Sequence, residues 1–400
     1  MRILLYTALI ITSSFCFIGC GGSDSSSNKM PAATPVIPPT ANTGFISDID
    51  FLDENLKNCI AKSAISAGWT KVSDVKQLNC LSKKISDLSG IEALSALTSL
   101  DLGFNNIEDI TLLSGLTHLK DLQLNDNKFT TLPDFSQLNV LEKLDLSSNN
   151  LKDISALSDL TSLQSLWMYS TTSTDISPII NNTSLTVLLL GHNKLDSDDL
   201  TNIVQLSKLT TLFMNDNELS DISVLAELPE LIELNLSGND KINDLNPLVS
   251  LTKLQVLHLA NMNEFSDVNF LADLIQLRKL HLGGNKIEDI SALSKLTLLK
   301  HLYLQKNPLN SIDVLSNFKS LAGLYLGETT TTDISMFANL VELEELSLSD
   351  NKIKDISVLS KLAKLYFLTL KGNDEIACLD LNALKDKIID GNLTLPETCI

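Results

Sequence analysis

Residues 97–127 read LTSLDLGFNNIEDITLLSGLTHLKDLQLNDN, and the pattern Leu-x-x-Leu-x-Leu-x-x-Asn occurs in them twice, ending at Asn105 and Asn127. Outward from this stretch the Asn position recurs at 149, 171, 193, 217, 239, 262, 285, 307, 329, 351 and 373. The steps are 22 residues except for one of 24 and two of 23. One further coil precedes them at Leu78–Lys83, with Lys83 in the Asn place, so the array predicts about fourteen coils. In the first quoted coil Leu100 and Leu102 alternate with Ser99, Asp101 and Gly103, the signature of a short strand with one face inward. No isolated coil of this length can bury its leucines, whereas stacking sets each coil's apolar side against its neighbours and makes one continuous core. The strands then pair laterally into a parallel sheet, about 65 Å long at roughly 4.8 Å per strand. The Asn side chain at the turn is expected to bond backbone groups of its own and adjacent coils, a structural duty. Thr171, Met262 and Thr329 interrupt that column, and looser turns are expected there.

The pattern resembles the leucine-rich repeats, in particular the 22-residue internalin-like type, over residues 78–376. The resemblance implies an α/β leucine-rich-repeat solenoid, curved, with a parallel β-sheet on the concave face and turns or 3₁₀ segments on the convex face. It also implies a function, because internalin-like solenoids bind partner proteins through the concave face: an adhesin-like recognition protein. The alternative is an envelope scaffold facing the periplasm, without a host ligand, in which the repeats act as a rigid spacer.

The ends of the chain set the compartment. Arg2, an apolar run from Ile3 to Ile11 and the sequence Phe17-Ile18-Gly19-Cys20 read as an export signal over residues 1–19, too short to span a bilayer. The FIGC stretch resembles the bacterial lipoprotein box, with Phe17 in place of the usual leucine, which implies that Cys20 is acylated and becomes the new N-terminus. Gly21 is not the aspartate that retains some lipoproteins in the inner membrane, so the resemblance favours the outer membrane. Residues 20–44 then form a disordered tether rich in Gly, Ser, Thr and Pro. Leu395-Pro396-Glu397-Thr398 looks like the start of a wall-sorting signal, but Cys399 stands where glycine is required. The membrane is therefore expected to be reached only through the lipid.

Residues 45–77 read as an N-terminal cap, with Phe51, Leu52, Leu56, Cys59 and Ile60 at helical spacing, and residues 377–400 as a C-terminal cap carrying Leu381, Leu384, Ile388 and Ile389. Setting aside Cys16 and Cys20, four cysteines remain. Cys59 and Cys80 fall at one end of the stack and Cys378 and Cys399 at the other, so only the two local disulfides are possible in a solenoid.

Composition bounds the function. Hydrophobic residues make up 44% of the chain but aromatics only 5%, so the core is mainly aliphatic. The formal net charge of −19 repels nucleic acid and anionic lipid. The outward strand residue four places before each Asn is the position the repeat leaves free to vary. Trp167, Leu189 and Phe213 form one apolar group in this column, and His258, His281, Tyr303 and Tyr325 another, joined by Tyr169 and His301. Contiguous exposed aromatics rimmed by polar residues are interface-like. We therefore take Trp167, Tyr169, Phe213, His258, His281, His301, Tyr303 and Tyr325 as candidate contacts for a protein, or a glycan, bound by a monomer.

Three histidines on successive coils do not make a convincing metal site, since His301 projects from a neighbouring column. The acidic column Asp87, Asp109, Asp153, Asp175, Asp221, Asp244, Asp267, Asp289, Asp333 and Asp355 is expected to cap convex turns rather than hold calcium. No cofactor is expected. With no nucleophile elbow, phosphate loop or HExxH motif, an enzyme is not expected either.

Overall fold

A computed structural model describes residues 44–173, 175–385 and 392–396. The expected export segment, Cys20, the expected tether up to residue 43, Ile388, Ile389 and Cys399 lie outside them. The strands are β1 (Gln77–Asn79), β2 (Ser99–Asp101), β3 (Asp121–Gln123), β4 (Lys143–Asp145) and β5 (Ser165–Trp167). They continue as β6 (Val187–Leu189), β7 (Thr211–Phe213), β8 (Glu233–Asn235), β9 (Val256–His258) and β10 (Lys279–His281). The last are β11 (His301–Tyr303), β12 (Gly323–Tyr325), β13 (Glu345–Ser347), β14 (Phe367–Thr369) and β15 (Leu393–Thr394). All are parallel and pair in chain order in one 15-stranded sheet, the solenoid expected from the repeat.

Each of β1 to β14 has a single leucine at its middle position, buried to 3% exposure or less. A three-residue strand holds nothing by itself. Lateral pairing and the leucines beneath give it its place, each fully buried side chain contributing about 1.5–3 kcal/mol. The register places every such leucine beside the next, as Leu100↔Leu122 and Leu302↔Leu324. Extra residues are taken up away from the sheet: the 24-residue step from Val187 to Thr211 carries two 3₁₀ segments, Asp198–Leu200 and Ile203–Gln205.

After each strand the chain turns through a left-handed residue and then the asparagine. Phe104 (φ 56°) precedes Asn105 and Asp126 (φ 54°) precedes Asn127, while Gly238, Gly284 and Gly372 occupy the same place elsewhere. Buried Asn307 shows the duty of the asparagine. Its Nδ2 donates to the carbonyls of Leu304 in its own coil and Leu282 in the coil before, both at 2.8 Å, and its Oδ1 accepts from the Ile287 N–H at 3.1 Å. Thr171 and Thr329 do not loosen the turn. Both are fully buried, and their hydroxyls donate to the carbonyls of Met168 and Leu326 three residues back while their N–H groups bond the next coil's asparagine. Met262 is buried as well and its N–H donates to Asn285 Oδ1 at 2.8 Å.

The acidic column caps the far side. Asp109, Asp289 and Asp355 accept the N–H of the residue two places on, Thr111, Ser291 and Ser357, each at 2.8 Å, where a 3₁₀ segment begins. Backbone hydrogen bonds hold the carboxyls of Asp289 and Asp355 below the usual carboxylate range, and at Asp109 the Thr111 hydroxyl does most of this.

The caps differ from their expected form in two respects. Helix α1 (Glu54–Ala67) begins only after Asp53, whose Oδ1 accepts from Asn55 and Leu56 N–H and whose Oδ2 accepts from Ser86 N–H, tying the cap to the first coil. Leu56, Cys59 and Ile60 are buried, but Leu52 precedes the helix and is 65% exposed. At the other end helix α2 (Cys378–Lys385) buries Leu381 and Leu384, and β15 adds a strand that the repeat pattern does not announce. Cys59 and Cys80 are disulfide-bonded with Cα atoms 5.8 Å apart. Cys378 is disulfide-bonded too.

Candidate partner-binding face

The outward third residue of each strand forms a column set by register alone: Trp167↔Leu189↔Phe213 on β5 to β7, then Asn235, then His258↔His281↔Tyr303↔Tyr325 on β9 to β12. The register sets Trp167 and Phe213 on one side of Asn235 and His258, His281, Tyr303 and Tyr325 on the other, with Tyr169 and His301 in neighbouring columns.

The larger group is a continuous ladder of rings. His258 and His281 meet edge to face at 5.7 Å, His281 and Tyr303 are tilted at 4.9 Å, and Tyr303 and Tyr325 stack at 4.4 Å with 11° between planes. Aromatic pairs of this geometry contribute about 0.5–1.5 kcal/mol beyond burial. The Tyr325 hydroxyl donates to Glu345 Oε2, and the Tyr366 hydroxyl donates to Oε1 of the same carboxylate at 2.5 Å. Lys279 Nζ lies 5.8 Å from the Tyr303 ring centroid, within cation–π range.

Burial sets the charges of this ladder. It pushes the His258 imidazole down to about 3, with Lys279 and His281 adding to it, and His281 down to about 4, with Lys279 adding to it. Both rings are therefore neutral at pH 7, and the Gln305 amide lies 3.1 Å from His281 Nε2. Burial likewise raises Tyr303 and Tyr325, the Glu345 carboxylate adding to both, so the phenols stay protonated. His301 is lowered by burial against the pull of Glu345. Its ring lies over Gly323, where a Cβ would stand 2.5 Å from His301 Nδ1, so only glycine at 323 leaves the ring its seat.

The smaller group has its own polar surroundings. Tyr169 lies against Gly191, whose Cβ would stand 2.8 Å from the ring, and meets His192 edge-on at 4.8 Å. His192 Nε2 is 2.9 Å from Asp216 Oδ2. Trp167 is half-buried, and its Nε1 is wholly buried with no hydrogen-bond partner. Beside it in register, Asp145 is 6% exposed, and burial drives its carboxyl up to about 6.

Sequence reading of one column missed Glu345, Lys279, Gln305 and Tyr366. Glu345 and Lys279 occupy the first strand position and Gln305 the place two beyond the strand's third residue, so reading all three outward columns together would have found them. Tyr366 lies before β14, outside every column, and only the structure brings it to Glu345. The three histidines do not converge on one point: His301 turns to Gly323, while His281 engages Gln305. Among the described residues no group of three or more His, Cys, Asp or Glu is placed to hold a metal ion.

Models of leucine-rich repeats match residues 95–151 and 183–240, and a two-copy model of the same repeats matches 140–181, 275–317 and 341–385. No curated protein matches the sequence. Among solved structures, an internalin of Listeria monocytogenes, InlF, is 34% identical, with a TM-score of 0.71 over 80% of this chain and 95% of its own. The functional domain of InlJ from the same organism is 23% identical, TM-score 0.57, over 80% of both chains. A leucine-rich-repeat protein of Leptospira interrogans is 19% identical, TM-score 0.62, over 84% of this chain and 98% of its own. The last two likenesses carry the fold only.

Proposed function

The chain belongs to the leucine-rich-repeat family, and from that premise we propose that it is a recognition protein of the bacterial cell envelope, binding a protein partner on its concave sheet face. The observation that carries this reading is the continuous ring ladder His258–His281–Tyr303–Tyr325, half-buried, uncharged at neutral pH and rimmed by Lys279 and Glu345. Such a ladder is not needed for folding, because the sheet's other outward positions do without it. Aromatic side chains held in place by their neighbours lose little freedom on binding, which is why Tyr and Trp dominate interface energetics.

The resemblance to internalin-like repeats supports a partner of protein, and Glu345 beside Tyr325 and Gln305 beside His281 supply the hydrogen-bonding rim such an interface uses. In this reading the protein is exported, acylated on Cys20 and displayed on the tether, most simply from the outer membrane. Two or three acyl chains suffice for stable anchorage, at about 0.8 kcal/mol for each buried CH₂.

Two experiments test it. Metabolic labelling with an alkyne fatty acid should mark the protein but not a Cys20→Ser variant. Protease added to intact cells should cut the solenoid. Cleavage only after the outer membrane is opened would reassign the protein to a periplasmic scaffold.

A further inference from the structure

The ring ladder stops abruptly at Tyr325. The next two residues in its column are Ser347 and Thr369, so the Tyr325 face that does not stack on Tyr303 looks along the sheet over a low shelf. At the edge of that shelf stands Glu345, half-buried, its two oxygens accepting from the Tyr325 and Tyr366 hydroxyls. Two neutral phenols fix the carboxylate, each taking one lone pair of one oxygen, so it keeps its charge and further acceptor sites. Elsewhere coil-to-coil carboxylates are neutralised by lysines of the adjacent coil: Glu218 by Lys241, Glu230 by Lys253, Glu342 by Lys364. Among the described residues no lysine or arginine forms an ion pair with Glu345, and Lys279 lies over the other ring of the stack, Tyr303.

We propose that this shelf is a subsite for a cationic side chain of the protein partner, an arginine whose guanidinium lies on the open face of Tyr325 and donates to Glu345. The proposal rests on the reading of the sheet face as the partner surface and specifies what is recognised there. Charge complementarity argues for this occupant: an uncompensated carboxylate beside an aromatic face, on a chain of net charge −19, matches a planar cation that both stacks and donates. Tyr366, 46% exposed, is the second wall, held by the same carboxylate.

The probe is a capped Gly-Arg-Gly peptide, titrated into the full chain with labelled tyrosine rings, beside the same peptide carrying citrulline, which keeps the shape and loses the charge. The Arg peptide should shift the Tyr325 and Tyr366 resonances and bind about tenfold more tightly than the citrulline peptide. Glu345→Gln should abolish that preference with an unchanged melting temperature. Equal response to both peptides, a preference that survives Glu345→Gln, response only to a methyl hexoside, or no response at all overturns the subsite. The broader reading fails separately. If Tyr303→Ala with Tyr325→Ala loses the partner while Glu345→Gln retains it, the face stands and the cationic subsite falls.

Discussion

Asn105 donates from Nδ2 to the carbonyl oxygen of Cys80 at 3.0 Å, so the first link of the asparagine ladder ends on a disulfide-bonded residue of the capping coil. The same side chain donates to Leu102 and accepts from the N–H groups of Lys83 and Ile85. One planar amide thus closes its own turn and fastens the coil before it. Removing it in mid-array orphans several buried backbone groups at about 1–3 kcal/mol each. Asn307→Ala should therefore lower stability by about 3 kcal/mol in urea denaturation. Asn307→Thr should cost clearly less, since Thr171 and Thr329 show that a hydroxyl recovers the carbonyl three residues back. Equal losses for Ala and Thr would refute the ladder's role.

The Cys59–Cys80 bond joins helix α1 to the residue that follows β1, across 21 residues. Closing a loop of that length stabilises by about 3 kcal/mol in the chain-entropy estimate. Cys59→Ser with Cys80→Ser should therefore loosen the cap first. Limited proteolysis should cut within Glu54–Ala67 before any coil beyond Asn105 is touched. Simultaneous loss of the whole array would mean that the cap and the repeats unfold as one unit.

The repeat made the fold legible because the coils restate one physical demand: a leucine at the middle of every strand and, in most coils, an amide at the turn and an acid before the 3₁₀ segment. Fourteen repetitions of the strand leucine leave the sheet order no alternative. The site was legible only in part. Register made Tyr303 and Tyr325 neighbours on paper, but Asp145 occupies the same outward column and is nevertheless 6% exposed, because the side chains flanking it decide its burial. Leu52 shows the converse at the cap. Its spacing fits a helix, yet Asp53 is the N-cap and the helix starts after it. Contacts that leave the repeat, such as Tyr366 with Glu345, have no periodic signal at all.

Asp145 and the histidine pair should give stability opposite slopes with pH. The folded state holds the Asp145 proton up to about 6 against 3.8 in the unfolded chain, so its contribution is greatest below about pH 4 and is lost as pH rises through 6. Asp145→Asn keeps an acceptor for the Ser147 N–H at 2.9 Å and removes the buried charge. It should stabilise the protein by about 2–3 kcal/mol at pH 7, with little effect below pH 4, as read from urea midpoints at the two pH values.

His258 and His281 run the other way, with folded values of about 3 and about 4 against roughly 6.5 in the unfolded chain. Their contribution is full above about pH 6.5 and is lost as pH falls toward 4, where the unfolded state takes up protons first. Ring C–H resonances of both residues should keep the shifts of the neutral imidazole from pH 7 to pH 5. Titration of either near 6.5 would show the ladder to be open to solvent.

The ring ladder and the leucines beneath it should separate binding from folding. Tyr303 is half-buried on the outer face, and its stack with Tyr325 contributes about 0.5–1.5 kcal/mol, whereas truncating a wholly buried leucine costs about 2–5 kcal/mol. A variant with Trp167, His281, Tyr303 and Tyr325 changed to Ala should therefore lose partner capture and melt within a few degrees of the wild type. Leu302→Ala, one residue from Tyr303 and 0% exposed, should shift the melting temperature strongly while leaving capture by the folded fraction intact. The comparison matters because Tyr303 and Leu302 are adjacent on β11, so a general loosening of that strand would affect both readouts together. Capture that survives in the four-residue variant would move the partner surface off these strands, to the Tyr169–His192 region or the far side of the solenoid.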